Sequence, residues 1–246
     1  MPQHDRTLGG EVMSNLYLVR HGQASFGSRD YDQLSPLGVT QSELLGRWLA
    51  TCGLRPDQVM IGTMRRHRQT AKACMGAWLK DDASKLAPIE DDSFNEFDHK
   101  EVLLRTHPEF AEPGYLEQFL AEQVDSRRAF QKVFAKSVAR WVEGKHDSEY
   151  TESWPGFRTR CLAGLVRAAE AVPDGNIWVF TSGGPISAIT QHILDIPDSK
   201  VLDLNWSILN ASVSQYGHRK GKARLKQFNS IAHLTLPDRA DLLSYR

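Results

Sequence analysis

The chain has 246 residues, of which 41% are hydrophobic and 24% charged, and its 30 Lys+Arg balance its 30 Asp+Glu. A chain of this size buries a substantial core without disulfide or metal staples, and a net charge of zero argues against a nucleic-acid or anionic-membrane surface. No apolar stretch reaches the roughly 20 residues of a membrane span, residues 1–13 hold no apolar leader segment, and the scattered Cys52, Cys74 and Cys161 form no disulfide or zinc framework. These features predict a cytoplasmic protein with free thiols and neither nucleic-acid nor membrane partners.

Residues 1–13 read as a disordered extension, with one domain over 14–246. Leu16, Tyr17, Leu18 and Val19 form a short apolar run, which predicts a buried strand. Arg20-His21-Gly22 follows at its carboxyl end, where open α/β sheets bind ligands. His titrates near neutrality and can act as an unprotonated nucleophile. Arg adds a fixed, forked charge suited to a phosphoryl group, and Gly lets backbone approach a ligand closely.

Ser35 is a good N-cap with Pro36 at the first helical position. The helix it opens runs to about Ala50, carries Leu44, Leu45, Trp48 and Leu49 on one face and ends at Gly53. Residues 59–62 predict a second strand, and Thr63 is the expected cap of the helix carrying Arg66. Residues 88–90 predict a short edge strand. Residues 176–180 predict another strand, then Ser182, a Gly183-Gly184 turn and a helix from about Pro185. Residues 211–217 and 224–228 alternate as a closing pair.

Between about 98 and 144 the strand signal disappears, and Tyr115, Phe119, Phe130, Phe134 and Trp141 interleave with charged residues. This reads as a helical cap insertion over the carboxyl edge of the sheet, or as a plain helical excursion without substrate contact. Strands alternating with helices elsewhere predict an α/β three-layer sandwich, a mostly parallel sheet flanked by helices.

On residue chemistry alone, Arg66 also fits a solvated charge beside Arg65 and Arg68. Glu96 sits in an acidic run with Glu90, Asp91, Asp92 and Asp98, and Asp98 is its rival for any acid role. His99 lies three residues after Glu96 and within reach of the same place. His67 adjoins Arg66 but departs from it by about 100° around the helix.

The segments Arg20-His21-Gly22-Gln23, 63–71 around Arg66, Asn95-Glu96-Phe97, 152–160, 179–186 and 229–234, in that order over about residues 15–236, resemble the histidine phosphatase superfamily, the phosphoglycerate mutase-like clan. The resemblance implies that His21 is the nucleophile and passes through a phosphohistidine, with Arg20 and Arg66 as the phosphate clamp. It makes Glu96 the acid, places Ser182 and Gly183 against the phosphate, and calls for no metal or cofactor. Ser182 stands where the family has its second active-site His. A hydroxyl donates a hydrogen bond but carries no charge, and losing one such donor costs on the order of 10²–10³ in rate.

The expected function is a phosphomonoesterase acting on a small phosphorylated substrate and binding inorganic phosphate. The alternatives are a non-enzymatic phosphate-ligand or partner-binding protein on the same fold, and dephosphorylation of phospholysine or phosphohistidine in proteins. Mutase activity is disfavoured, because Gln23-Ala24-Ser25-Phe26-Gly27 replaces the mutases' Glu-Ser-x-Trp-Asn.

Overall fold

In the computed structural model, which describes residues 13–25, 32–235 and 239–245, the run at 16–19 is the centre of the first strand, β1 (Ser14–Arg20). The expected N-terminal extension lies outside the described residues apart from Met13. The other strands are β2 (Gln58–Ile61), β3 (Ile89–Glu90), β4 (Asn176–Thr181), β5 (Val213–Arg219) and β6 (Lys222–Ser230). They form one sheet in the order β3-β2-β4-β1-β5-β6. The pairs β3–β2, β2–β4 and β4–β1 are parallel, and the closing pairs β1–β5 and β5–β6 are antiparallel.

Alternation along β1 and β4 divides the core. Leu16, Leu18, Ile177 and Val179 face α6 (Trp154–Ala171) and α7 (Gly183–Leu194). Val19, Trp178 and Phe180 face α1 (Pro36–Thr51) and α2 (Arg65–Leu79) on the other side. Two helical layers thus sandwich the sheet, each burying an apolar stripe. Tyr17 stacks on Trp178 with ring centroids 4.3 Å apart, and Trp78 meets Trp178 edge-on at 4.8 Å.

The predicted start of α1 is present: Ser35 Oγ accepts the Gly38 N–H at 3.1 Å and Pro36 opens the helix. Gly22 lets this helix approach closely, since a Cβ on it would lie 2.3 Å from the Gly38 carbonyl oxygen. Thr63 is not the cap of α2. It exchanges hydrogen bonds with the Asn95 side chain, both at 2.7 Å, while the Asp32 carboxylate accepts from Arg65 N at 2.8 Å and Arg66 N at 3.4 Å. The Gly183-Gly184 pair is not a turn before α7 but its first two residues.

The segment over 98–144 is helical: α3 (His99–Thr106), a 3₁₀ turn (Pro108–Ala111), α4 (Tyr115–Ala121) and α5 (Ser126–Val142). Trp141 of α5 packs on Phe97 at 4.7 Å and on Trp154 of α6 at 5.2 Å, which joins the insertion to the main core. A short α8 (Val201–Ser207) leads to β5. Among the described residues no helix is long and apolar enough to cross a membrane.

Candidate active site

His21 follows directly on β1, and the pairing of Arg20 with Thr181 puts Ser182 beside it. Its backbone is held on both sides. The His21 N–H donates to Thr181 O at 2.8 Å, and its carbonyl accepts from Ala211 N and Asn210 Nδ2, both at 3.2 Å. The ring is buried, with Nδ1 2.7 Å from the Gly22 carbonyl oxygen. An Nδ1–H donated to that carbonyl leaves the lone pair on Nε2. Burial, then the charges of Arg66, Arg20 and His67, hold the imidazole well below its ordinary pKa, with the Gly22 carbonyl acting the other way. The ring is therefore neutral near pH 7.

Arg66 is the second residue of α2 and its side chain is 4% exposed. Nη1 donates to Asp32 Oδ1 at 2.9 Å and Nη2 to Ser182 Oγ at 3.5 Å. Arg20 Nη1 donates to the Ile208 carbonyl in the loop before β5, and Nη2 donates to the Tyr245 carbonyl, well after β6, at 2.9 Å. Its Nε lies 3.7 Å from where a Gly183 Cβ would stand, so the guanidinium edge borders Gly183. Ser182 is the N-cap residue of α7 and is fully buried, yet its hydroxyl makes no capping bond. Instead Oγ is 2.7 Å from Nε2 of His67.

That contact brings His67 into the site. His67 leaves α2 about 100° around the helix from Arg66, but the end of β4 lies above the first turn of α2, so both side chains converge on Ser182. The His67 ring centroid is 6.0 Å from that of His21. The signal in the sequence was a bare Gly62 at the end of β2, which leaves room for the ring.

Glu96 is half-buried as a residue, with its side chain 7% exposed, and Oε2 accepts the Gly184 N–H at 3.1 Å. It thus sits at the positive end of α7. Asp98, its rival, is spent on capping α3 through the Glu101 N–H at 2.9 Å. His99 goes to Glu96, with Nε2 3.9 Å from Oε2, and packs on Phe97 and Phe134. A cleft of about 320 Å³ opens beside Glu96, lined by Asp98, Trp141, Glu152 and Arg160 among others. Among the described residues no cluster of three His, Cys, Asp or Glu could hold a metal ion.

The sequence pattern described as the histidine phosphatase superfamily (branch 1) matches residues 16–129 and 123–231. A 2,3-bisphosphoglycerate-dependent phosphoglycerate mutase of Thermobifida fusca is 27% identical over 217 residues, 78% of this chain and 83% of its own length. Two solved structures share the fold. Phosphoglycerate mutase from Bacillus anthracis matches with a TM-score of 0.63 and 17% identity, covering 90% of this chain and 95% of its own. A phosphoserine phosphatase mutant from Entamoeba histolytica, in complex with phosphoserine, matches with a TM-score of 0.62 and 15% identity, covering 90% of this chain and all of its own.

Proposed function

This chain belongs to the histidine phosphatase superfamily, branch 1, and from that premise we propose that it is a phosphomonoesterase working through a phosphohistidine on a small phosphorylated substrate. His21 Nε2 attacks phosphorus in line. The P–N bond forms as the bond to the leaving oxygen breaks, and Glu96 gives that oxygen its proton. Water, deprotonated by Glu96, then attacks the phosphohistidine, releases inorganic phosphate and restores the imidazole. Arg20 and Arg66 neutralise charge on the non-bridging oxygens, and Ser182 and the backbone at Gly183 border them.

The observation that carries this reading is the state of His21: a buried, neutral imidazole with Nδ1 tied to the Gly22 carbonyl and Arg66 and Arg20 close enough to depress its pKa. A neutral ring nitrogen beside two guanidiniums suits attack on a phosphate anion, which the same charges attract. The Gly184 N–H fixes the Glu96 carboxylate in position.

The test is a panel of phosphomonoesters assayed between pH 4 and 8, with His21→Ala as the blank. Release of phosphate that depends on His21 is expected. No release on a broad panel, with inorganic phosphate still bound, would instead support a ligand-binding protein. Interconversion of phosphoglycerates faster than hydrolysis would make the chain a mutase, like its Thermobifida relative.

A further inference from the structure

His67 is buried beside the reaction centre, and the two-step reaction gives it no task. Its Nε2 is 2.7 Å from Ser182 Oγ, which also lies 3.5 Å from Arg66 Nη2. Both His67 and Ser182 have 0% exposure. The ring's place is built into the fold, because a Cβ on Gly62 would stand 2.2 Å from His67 Nδ1 and 2.8 Å from Cε1.

The hydrogen-bond inventory constrains what this group can do. A serine hydroxyl has one proton to give and two lone pairs. Arg66 only donates. Without a ligand, a His67 ring that keeps its proton on Nδ1 accepts the Ser182 hydroxyl proton at Nε2. When an oxyanion enters, the hydroxyl is drawn to donate to it, and two donors facing Ser182 Oγ then satisfy it best. Arg66 is one. His67 becomes the other only with a proton on Nε2, and because Nδ1 lies against Gly62, whose backbone favours keeping the Nδ1 proton, that proton is a second one taken from solvent.

We propose that Ser182 and His67 act as one unit: as a phosphoryl dianion enters, Ser182 donates its hydroxyl to an oxygen of the anion, and His67 takes up one proton and donates Nε2–H to Ser182. His67 works through Ser182 and is a positioning residue. Its catalytic use rests on the phosphomonoesterase reading, whereas its response to anions does not. One proton moves from solvent to the imidazole, and no other bond changes.

The charges around the ring support this. Arg66 and Arg68 face it from its own helix, and His21 faces it from the end of β1. Burial, then Arg66, keep the imidazole well below its ordinary pKa, with Arg68 adding to this and the Gly62 backbone acting the other way. An entering dianion offsets the two guanidinium charges, so the imidazole becomes more basic when the site is filled.

Inorganic sulfate is a dianion throughout pH 5–8 and reports this without turnover. Its binding to His21→Ala, in which the His21 imidazole is gone, is measured by calorimetry in buffers of different ionisation enthalpy, with His67→Gln separating uptake at His67 from uptake at His99. Uptake of about one proton per sulfate near pH 7 is expected. His67→Gln in that background still offers an amide N–H to Ser182, so it should bind sulfate with no proton uptake. Ser182→Ala, which leaves the imidazole in place, should also reduce uptake and guards against a misfolded His67 variant. With His21 present, His67→Gln should lower kcat by about 10²-fold. Sulfate that fails to bind, binds without uptake, or draws the same uptake after His67→Gln overturns the proposal. Failure of the wild type to hydrolyse any phosphomonoester overturns the phosphomonoesterase reading instead and leaves the sulfate result standing.

Discussion

Glu96 Oε2 accepts the backbone N–H of Gly184 at 3.1 Å, and the carboxylate occupies the space a side chain at 184 would need: a Cβ there would stand 1.8 Å from Oε1. Gly184→Ala should therefore evict Glu96 while leaving His21 in place. Overpacking of this kind costs about 1–3 kcal/mol. Loss of the acid should cost about 10²-fold in kcat on alkyl phosphates and far less on p-nitrophenyl phosphate, whose leaving group needs no proton. Equal losses on both substrates would place the proton donor elsewhere.

Asp32 holds Arg66 Nη1 at 2.9 Å, with its own side chain 37% exposed. Its negative charge competes with an incoming phosphate for the same guanidinium. Asp32→Asn keeps an oxygen for the α2 N-terminus and removes the charge. Inhibition by inorganic phosphate should tighten about two- to five-fold, consistent with the modest worth of a partly exposed ion pair. Weaker phosphate inhibition would mean that Asp32 chiefly aligns Arg66.

Burial pushes His233 down from its ordinary 6.5 to about 4, with the Ala211 backbone acting the other way. Between those values the unfolded chain binds a proton that the folded chain does not. The stability is therefore complete above pH 6.5 and is lost as pH falls towards 4. His21 and His67 are shifted in the same direction. Between pH 7 and 4, His233 alone should account for a loss on the order of 3 kcal/mol, read by urea unfolding. His233→Gln should lose less by about that amount, and an unchanged pH dependence would contradict the assignment.

Ser182→His alone should lower activity, because His67 Nε2 already lies 2.7 Å from Oγ and a second imidazole has no room. His67→Ala clears that room. The double variant should exceed His67→Ala by about ten-fold or more in kcat, since it moves the imidazole across the contact instead of deleting it. A double variant no better than His67→Ala would show that the ring's position, and not its presence, is what matters.

Much of this was legible in the sequence. The apolar run at 16–19 fixed where Arg20 and His21 would stand, and Ser35 with Pro36 marked α1, because strand ends and helix caps are local properties. The cap of α2 was misplaced on Thr63 because Asp32, a residue from a distant loop, takes that part. The Gly183-Gly184 pair read as a turn, whereas its bareness serves the Glu96 and Asn205 side chains that close on it. His67 was discounted on its helical angle, which says where a side chain points from its own axis but not which strand end lies above it. Contacts between elements distant in sequence decide these cases, and local patterns do not carry them.

In the proposed reaction His21 carries the phosphoryl group. During turnover of a phosphomonoester, rapid quenching into alkali, where phosphohistidine survives, followed by peptide mass spectrometry, reads it directly. A phosphoryl group is expected on the peptide containing His21, formed at a rate no slower than turnover and absent from His21→Ala. Sustained hydrolysis with that peptide unmodified, or hydrolysis that persists in His21→Ala, would contradict it.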